Sequence, residues 1–310
     1  MRNVGVTMDT FMKLIYKVRI ALSSRDLFEN WIEALFKYVL SSLGLYRKTV
    51  KLRCLSGGYA NVEPWIIGRI VSSYYHGYIR NIKCVNGDLA INDLVVTIKR
   101  DKYVQIGSVK FIKDNSMIYE TFIKQPHSLV DVSGKVVIDV GAYIGDSTIY
   151  FLLRGADKVI AVKPNPVAYQ EMLENIRLNN LMDKVIPLNA GISNKHDKIC
   201  IHEQDVNKAI GIYYGTGKHP SCIAYVDALT LEDIVERYKI PGGSVLKMDC
   251  EGCEFTPLDI SCQILLRFTQ IIIEYHGEPY SLTNHLKECG FRVDIIKPWR
   301  SGGIMVGFKK

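Results

Sequence analysis

The hydrophobic pattern changes twice along the chain. Residues 8–44 carry apolar side chains at helical spacing, which predicts two amphipathic helices with a break near residues 23–26. Residues 48–125 contain short β-branched segments separated by the turn sequences SGG, NGD and KDN, with one helix near residues 63–79. From residue 135, apolar strands alternate with helices. We therefore predict an N-terminal helical segment (1–47), a small β-rich region (48–125) and an α/β domain (126–310).

The α/β domain contains five predicted strands that are mostly apolar: KVVIDVG, KVIAVKP, KVIPLNAG, SVLKMDCEG and FTQIIIEYHG. Such strands, separated by helices, are typical of a parallel sheet whose two faces are both covered. The last two strands are joined by WRSGG, which is too short for a parallel crossover. The predicted fold is a doubly wound, Rossmann-like, mostly parallel seven-stranded sheet with an antiparallel C-terminal hairpin.

Charge is distributed unevenly over the 310 residues. The net charge is +7, but residues 1–130 hold 19 basic and 10 acidic residues, whereas the remainder holds 20 and 22. The basic part suits nucleic acid, an anionic membrane surface or a phosphorylated substrate, although a solvated surface is the simplest explanation. Glu29 and Glu33 interrupt the basic face of the N-terminal helices, which favours packing on the main domain over a membrane-surface role.

The 8 cysteines are scattered, and charged residues recur every few positions in the first 24 residues, unlike a secretory signal. No run approaches the ~18 apolar residues of a membrane span. We therefore predict reduced thiols and a cytoplasmic protein. Cys250 and Cys253 have CxxC spacing without a second pair or a histidine cluster, so chance spacing is favoured over a metal or redox site.

A glycine-containing loop follows the first strand of the α/β domain. In VVIDVGAYIGDS, Gly141 permits a tight turn and Gly145 permits close packing at the start of the next helix. The loop is not the dinucleotide pattern GxGxxG, because Ala142 and Tyr143 occupy its middle. Asp139 before the loop suits a cofactor with a cationic amino-acid end better than a pyrophosphate.

Five motifs in order, DVGAYIGD, VKPNP, NAGIS, LKMDCEGCE and IIIEYH, resemble the FkbM-type family of class I S-adenosylmethionine-dependent methyltransferases over about residues 110–310. The resemblance implies S-adenosylmethionine as cofactor but does not fix the acceptor, and our leading hypothesis is O-methylation of a hydroxyl on a sugar, glycan or small metabolite. It also implies a set of cofactor-binding residues: Asp139, Gly141, Ala142, Tyr143, Gly145, Lys163, Asn165, Asn189, Ala190 and Asp249.

The same resemblance points to a polar cluster at the ends of two central strands as the catalytic candidates: Asp249, Glu251, Glu274 and His276, with Glu254 nearby. Methyl transfer to a hydroxyl requires alignment and removal of a proton. His276 is suited to proton removal near neutral pH, and ordering of Glu274 is its equally weighted alternative role. A divalent metal held by the four candidates is a weaker alternative, and we assign no metal site. Lys247 is expected to neutralise the acids.

Three functional alternatives stay open. Residues 203–227, with Lys218 and His219, form either a substrate-covering flap or a plain hairpin. An RNA methyltransferase would use the basic N-terminal region, but no N/D-P-P-Y/F element follows the fourth strand and no RNA-binding signature is present. A catalytically degenerate protein of the same fold is supported mainly by Lys163. The sequence does not indicate an oligomeric state.

Lys163 stands where the family pattern places an acid that binds the ribose hydroxyls. A carboxylate accepts hydrogen bonds from both hydroxyls, whereas an ammonium group only donates them. Losing one charge-assisted bond costs about 1.5–3 kcal/mol, roughly ten- to a hundredfold in affinity. We predict that Lys163→Glu tightens S-adenosylmethionine binding in calorimetry. Equal or weaker binding by the variant would contradict this explanation.

Overall fold

The computed structural model describes residues 8–92, 94–99, 103–202, 222–250, 252–299 and 301–310. Glu251 and most of the predicted flap, including Lys218 and His219, lie outside these residues. The chain divides into two compact units between Lys124 and Gln125. The finer division predicted at residue 47 stays a prediction.

Three helices build the first half of the N-terminal unit. They are α1 (Met8–Leu22), α2 (Trp31–Ser42) and α3 (Pro64–Tyr75). A 3-10 turn over Ser23–Asp26 separates α1 from α2. Gly68 allows α2 and α3 to approach closely, because a Cβ there would come within 2.6 Å of the Tyr38 ring. No helix in the described part of the chain is long and apolar enough to cross a membrane.

Two small antiparallel sheets complete this unit. The first pairs β1 (Val50–Arg53) with β2 (Tyr59–Val62). The second is a five-stranded meander of β3 (Ile82–Val85), β4 (Asp88–Ile91), β5 (Leu94–Lys99), β6 (Tyr103–Ile106) and β7 (Val109–Phe111). The short helix α4 (Ser116–Tyr119) runs on into a π-helical turn over Glu120–Lys124. Burial alternates along β1, β2, β6 and β7, as expected for strands with one solvated face.

The C-terminal unit follows the predicted alternation of strands and helices. Its strands are β8 (Val136–Val140), β9 (Lys158–Val162), β10 (Val185–Leu188), β11 (Ala190–Ile192), β12 (Asp197–His202), β13 (Cys222–Leu229), β14 (Ser244–Met248), β15 (Phe268–His276), β16 (Phe291–Trp299) and β17 (Gly302–Lys309). Its helices are α5 (Asp146–Leu153), α6 (Pro166–Leu178), α7 (Leu231–Arg237), α8 (Cys262–Leu265) and α9 (Tyr280–Glu288).

Seven of these strands form one sheet in the order β10-β9-β8-β14-β15-β17-β16. The first five are parallel, and β17 pairs antiparallel with both β15 and β16. The predicted fold is therefore confirmed, including the C-terminal hairpin. The winding reverses between β8 and β14, and ligands bind outside the carboxyl ends of strands at such a switch point.

The predicted third strand is shorter than expected. The chain leaves the main sheet after Leu188, and β11 joins a separate sheet with the order β11-β13-β12. In that sheet β12 pairs antiparallel with β13 and β11 pairs parallel with it. The polar Asn189 separates the two strands, but mostly apolar residues flank it on both sides, so the hydrophobic pattern predicted a single strand.

The cysteines are paired, so the prediction of reduced thiols is wrong. Disulfides join Cys54–Cys84, Cys200–Cys222, Cys250–Cys253 and Cys262–Cys289, which accounts for all eight. Three of the pairs are separated by 22 to 30 residues in the chain, so only the fold brings their partners together. The predicted cytoplasmic location loses its thiol argument, because disulfides persist chiefly in oxidising compartments and in hyperthermophiles.

Asp114 lies largely buried beside the C-terminal end of the meander, near Tyr119. Burial raises the pKa of the Asp114 carboxyl to about 7, although the Tyr119 hydroxyl acts in the opposite direction, and the Glu63 charge raises it further. The folded state therefore holds this proton more tightly than the unfolded state, where the pKa is 3.8. Its contribution to stability is present below about pH 4 and is lost as the pH rises through about 7.

We predict that Asp114→Asn flattens this pH dependence. Relative to the wild type, the variant should gain on the order of 2–4 kcal/mol in free energy of unfolding between pH 4 and pH 8, because Asn carries no charge to bury. Urea denaturation at several pH values measures the effect. Asp183→Asn, at an exposed carboxylate, is the matched control. Parallel pH profiles for the wild type and Asp114→Asn would contradict the prediction.

Candidate active site

The loop after β8 lies against the loop after β14. Gly141 has φ +81°, and a Cβ at this position would lie 1.7 Å from the carbonyl oxygen of Asp249. Only glycine allows this approach, because the obstacle is backbone and cannot move aside. Gly141 therefore brings the carboxyl ends of β8 and β14 together at the switch point.

Backbone hydrogen bonds hold the rest of the loop. The amides of Gly141 and Ala142 donate to the carbonyl oxygen of Val162 at 3.0 and 3.1 Å. Tyr143 has φ +47° and Gly145 has φ +86°, so the chain curls back before α5 begins. The buried Asn175 side chain donates to the Ile144 carbonyl oxygen at 2.9 Å and ties the loop to α6.

A buried ion pair links β8 to β14. The Asp139 carboxylate is completely buried, and its Oδ1 lies 3.0 Å from Nζ of Lys247. The hydroxyls of Ser147 and Thr148 both donate to Oδ2 at 2.7 Å. Asp139 thus joins the strand end to the first turn of α5 and has no surface in contact with solvent.

Lys247 also acts on the glycine loop directly. Its Nζ lies 2.9 Å from the carbonyl oxygen of Gly141 and 4.0 Å from Oδ2 of Asp249. Burial lowers the pKa of the Lys247 ammonium group, but the charges of Asp139 and Asp249 more than offset this, so the pKa lies above its ordinary value. Lys247 therefore stays charged and positions the loop carbonyl.

Lys163, at the end of β9, points toward the same region. Its side chain is buried, and its Nζ lies 5.4 Å from the centroid of the Tyr143 ring, within the range of a cation–π contact. Its substitution therefore also removes a contact with the loop. Lys163→Gln removes the charge without adding an acid, so it should be measured by calorimetry together with Lys163→Glu to separate the two effects.

The two asparagines predicted near the adenosine support the backbone. The side-chain oxygen of Asn165 accepts hydrogen bonds from the amides of Val167 and Ala168, which caps α6. The exposed Asn189 donates at 2.9 Å to the carbonyl oxygens of both Lys163 and Pro164. Ala190, the neighbour of Asn189, is buried.

Asp249 and Glu274 reach one small cavity at the ends of β14 and β15. The cavity is lined by Pro126, His127, Lys247, Met248, Asp249, Ile272, Glu274 and Ile304. Burial raises the pKa of the Asp249 carboxyl above its ordinary value, although the Lys247 and His276 charges act in the opposite direction. A carboxylate with a raised pKa is a stronger base than an ordinary one. The cavity thus combines two acids with an apolar wall.

Glu254 contacts both the backbone and the ring of His276, and the alternative role of His276 in ordering Glu274 stays a prediction. Oε1 of Glu254 accepts from the His276 amide at 3.2 Å and lies 3.0 Å from Nδ1 of its ring. Oε2 of the same buried carboxylate accepts from the Gly252 amide at 2.5 Å. Glu254 therefore joins the loop after β14 to the end of β15. The Cys250–Cys253 disulfide closes that same loop.

This arrangement does not support the alternative in which the four candidate residues hold a divalent metal ion. Within the described residues, no three His, Cys, Asp or Glu side chains are arranged to hold a metal ion. Glu251, the fourth member of the predicted cluster, lies outside those residues, so its position relative to Asp249 and Glu274 stays a prediction.

His127 was not among the predicted site residues, and the fold brings it to the cavity. It lies in a 3-10 turn (Pro126–Leu129) before β8, and its ring packs against Tyr150 and Phe151 at centroid distances of 6.1 and 5.3 Å. Burial, together with the Lys247 charge, lowers the pKa of His127 to about 3. The imidazole is therefore neutral at physiological pH. No motif surrounds this residue, so only the topology identifies it.

The fold and the site define an α/β protein with a ligand cradle at the switch point between β8 and β14. Comparison with known proteins agrees with this class and identifies the family. A family model described as the methyltransferase FkbM domain matches residues 139–293, which is half of the chain. The chain therefore belongs to the FkbM methyltransferase family, as its motifs predict, and it is a methyltransferase.

Individual relatives are distant. Hexuronic acid methyltransferase AglP of Haloferax volcanii is 26% identical over 174 residues, 56% of this chain and 70% of that protein. A probable protein arginine N-methyltransferase 6.2 of Oryza sativa subsp. indica is 46% identical over 61 residues, only 15% of its own length. The crystal structure of methyltransferase FkbM from Methylobacillus flagellatus KT is 16% identical with a TM-score of 0.43, covering 61% of this chain and 48% of that one.

We predict that Lys247→Met destabilises the protein by about 3–5 kcal/mol, because it leaves the Asp139 carboxylate buried without its partner. Lys158→Met, at an exposed lysine on strand β9 of the same sheet, should change the free energy of unfolding by no more than about 0.5 kcal/mol. Chemical denaturation measures both values. The double variant Asp139→Asn/Lys247→Met should recover a large part of the loss. Equal effects of the two single lysine variants would contradict a structural ion pair.

Proposed function

We propose that this protein is an S-adenosylmethionine-dependent O-methyltransferase that acts on a hydroxyl of a sugar or glycan. The observation that carries the proposal is the position of Asp249 and Glu274, which both line the cavity at the ends of β14 and β15. Asp249 is also the residue whose carbonyl oxygen packs against Gly141 of the cofactor loop. One residue thus connects the proposed cofactor site with the proposed acceptor site.

The residues of the loop fit the proposed cofactor. The positive φ angles of Gly141, Tyr143 and Gly145 curl the backbone into a cradle, and the side chain of Asp249 is partly exposed beside it. A carboxylate in this position attracts a cationic sulfonium or ammonium group. Lys163 fits less well, since it offers ribose hydroxyls a donor where the family pattern has an acceptor. S-adenosylmethionine, when bound, supplies an electrophilic methyl group.

The cavity residues perform the remaining chemistry. Asp249 or Glu274 would accept the proton of the acceptor hydroxyl. Neutral His127 is able to donate one hydrogen bond and accept another, which suits a hydroxyl acceptor. The apolar side chains of Met248, Ile272 and Ile304 exclude water from the acceptor side.

The substrate class is supported by one relative. AglP is named for methylation of a hexuronic acid and is 26% identical over 174 residues. The aligned region covers 70% of that protein, which is more than for the arginine methyltransferase named above. A sugar hydroxyl is therefore the acceptor we propose, with a uronic acid as the first sugar to test.

We predict that Asp249→Asn and Glu274→Gln separate the roles of the two acids. One of the two acids is expected to remove the proton. Its amide variant should lower kcat by about 10²–10⁴-fold, because an amide accepts no proton, and should leave the KM for the sugar nearly unchanged. Transfer of a tritiated methyl group to uronic-acid and neutral glycans measures both constants. Mass spectrometry of the product locates the new methyl group.

Glu278→Gln, at an exposed acid close to the end of β15, is the matched control and should leave kcat unchanged. Full activity in both cavity variants would overturn the proposed role of the cavity. Methylation of RNA or of an arginine side chain in place of a glycan would overturn the proposed substrate class. Cofactor binding without transfer to any of these acceptors would favour the degenerate alternative.

A further inference from the structure

Helix α2 presents an unusual surface to solvent. Ile32, Phe36, Val39 and Leu43 recur at the spacing i, i+4, i+7 and i+11, which places them along one side of the helix and its C-cap. Their exposed fractions are 67, 62, 50 and 65%. We refer to these four residues as the apolar ridge. Scattered exposed apolar side chains are ordinary on a protein surface, whereas an aligned row of large ones marks an interaction site.

The opposite side of α2 already has its partners. Ala34, on that side, is completely buried, and the Tyr38 ring lies where a Cβ on Gly68 of α3 would be. The packing within the N-terminal unit therefore fixes α2 on α3 and leaves the apolar ridge outside.

Helix α1 has a similar character. Leu14, Val18 and Leu22 recur at a spacing of four, with exposed fractions of 58, 47 and 42%. This helix is also anchored to α3, because the Tyr16 hydroxyl lies 2.6 Å from Nε2 of His76 and the Tyr16 ring packs edge-on against Tyr75. Two helices held by α3 thus both expose large aliphatic side chains.

Charge identifies the partner. Residues 8–48, from the start of α1 to the segment that follows α2, contain seven basic and four acidic residues, a net charge of +3. Three of the acids are within ion pairs, Asp26 with Arg25, Glu29 with Arg53 and Glu33 with Lys37. Glu29 and Glu33 are therefore each neutralised by a basic partner, and their negative charges do not repel an anionic surface as isolated charges would. Exposed aliphatic residues combined with surplus cations are typical of interfacial helices.

We propose that α1, α2 and the apolar ridge form a docking surface for an anionic lipid membrane. A second copy of the chain fits less well, because a two-fold contact would bring the same cations of α1 together. RNA fits less well too, since aliphatic side chains such as Ile32 and Val39 gain little from phosphates or stacked bases. On a membrane, the ridge enters the headgroup region and the cations face lipid phosphates.

Vesicle flotation of the full chain tests the proposal. The protein should float with vesicles of mixed phosphatidylcholine and phosphatidylglycerol and bind vesicles of phosphatidylcholine alone at least about tenfold more weakly. Ile32→Ser/Phe36→Ser should weaken binding to the anionic vesicles by about tenfold or more, because two large apolar side chains no longer enter the membrane. Lys17→Glu/Arg19→Glu should weaken it by a similar factor, and added salt should do so in the wild type.

The matched control is Leu153→Ser/Tyr280→Ser, which removes two exposed apolar side chains from the C-terminal unit and should leave vesicle binding unchanged. Circular dichroism checks that each variant is folded. Equal binding of the wild type and the ridge variant would overturn the proposal. Light scattering that shows a dimer, which Ile32→Ser/Phe36→Ser dissociates, would also overturn it and identify the ridge as a self-contact. Methyl transfer to a soluble acceptor is measured separately, so this test does not depend on the proposed function.

Discussion

The buried pair of Asp139 and Lys247 is the interaction on which the active-site architecture depends. It joins β8 and β14, the two strands between which the winding of the sheet reverses. Two hydroxyls from α5 donate hydrogen bonds to the Asp139 carboxylate, and Lys247 donates to the carbonyl oxygen of Gly141. Burying two charges is costly unless both are paired and hydrogen-bonded. The pair therefore specifies one arrangement of the loop, because other arrangements would leave a charge buried alone.

Covalent and polar links act on the neighbouring loop in the same way. Glu254 connects Gly252 to His276, and the Cys250–Cys253 disulfide closes the segment between Asp249 and Glu254. The acids that face the cavity are thus attached to β14 and β15, two adjacent inner strands of the sheet. A preorganised site of this kind suits methyl transfer, in which the enzyme mainly has to align two reactants.

The sequence predicted the fold and the tight turn of the glycine-containing loop, because both follow from local rules. Apolar strands separated by helices require a covered parallel sheet, and Gly141 and Gly145 occupy backbone conformations that other residues avoid. Pairings between distant residues could not be predicted in this way. The disulfides, the Glu254–His276 contact and the approach of His127 to Asp249 all depend on the topology. Lys163 was visible in the sequence, but its contact with the Tyr143 ring was not.

The central claim is that the cradle at the switch point binds S-adenosylmethionine in spite of Lys163. Isothermal titration of the purified, disulfide-bonded wild-type chain with S-adenosylhomocysteine, the product form, tests this claim most directly. We expect saturable binding of one ligand per chain, lost when Gly141→Ala drives a Cβ into the Asp249 backbone in an otherwise folded variant. A folded wild-type protein that shows no heat of binding at millimolar ligand would contradict the account.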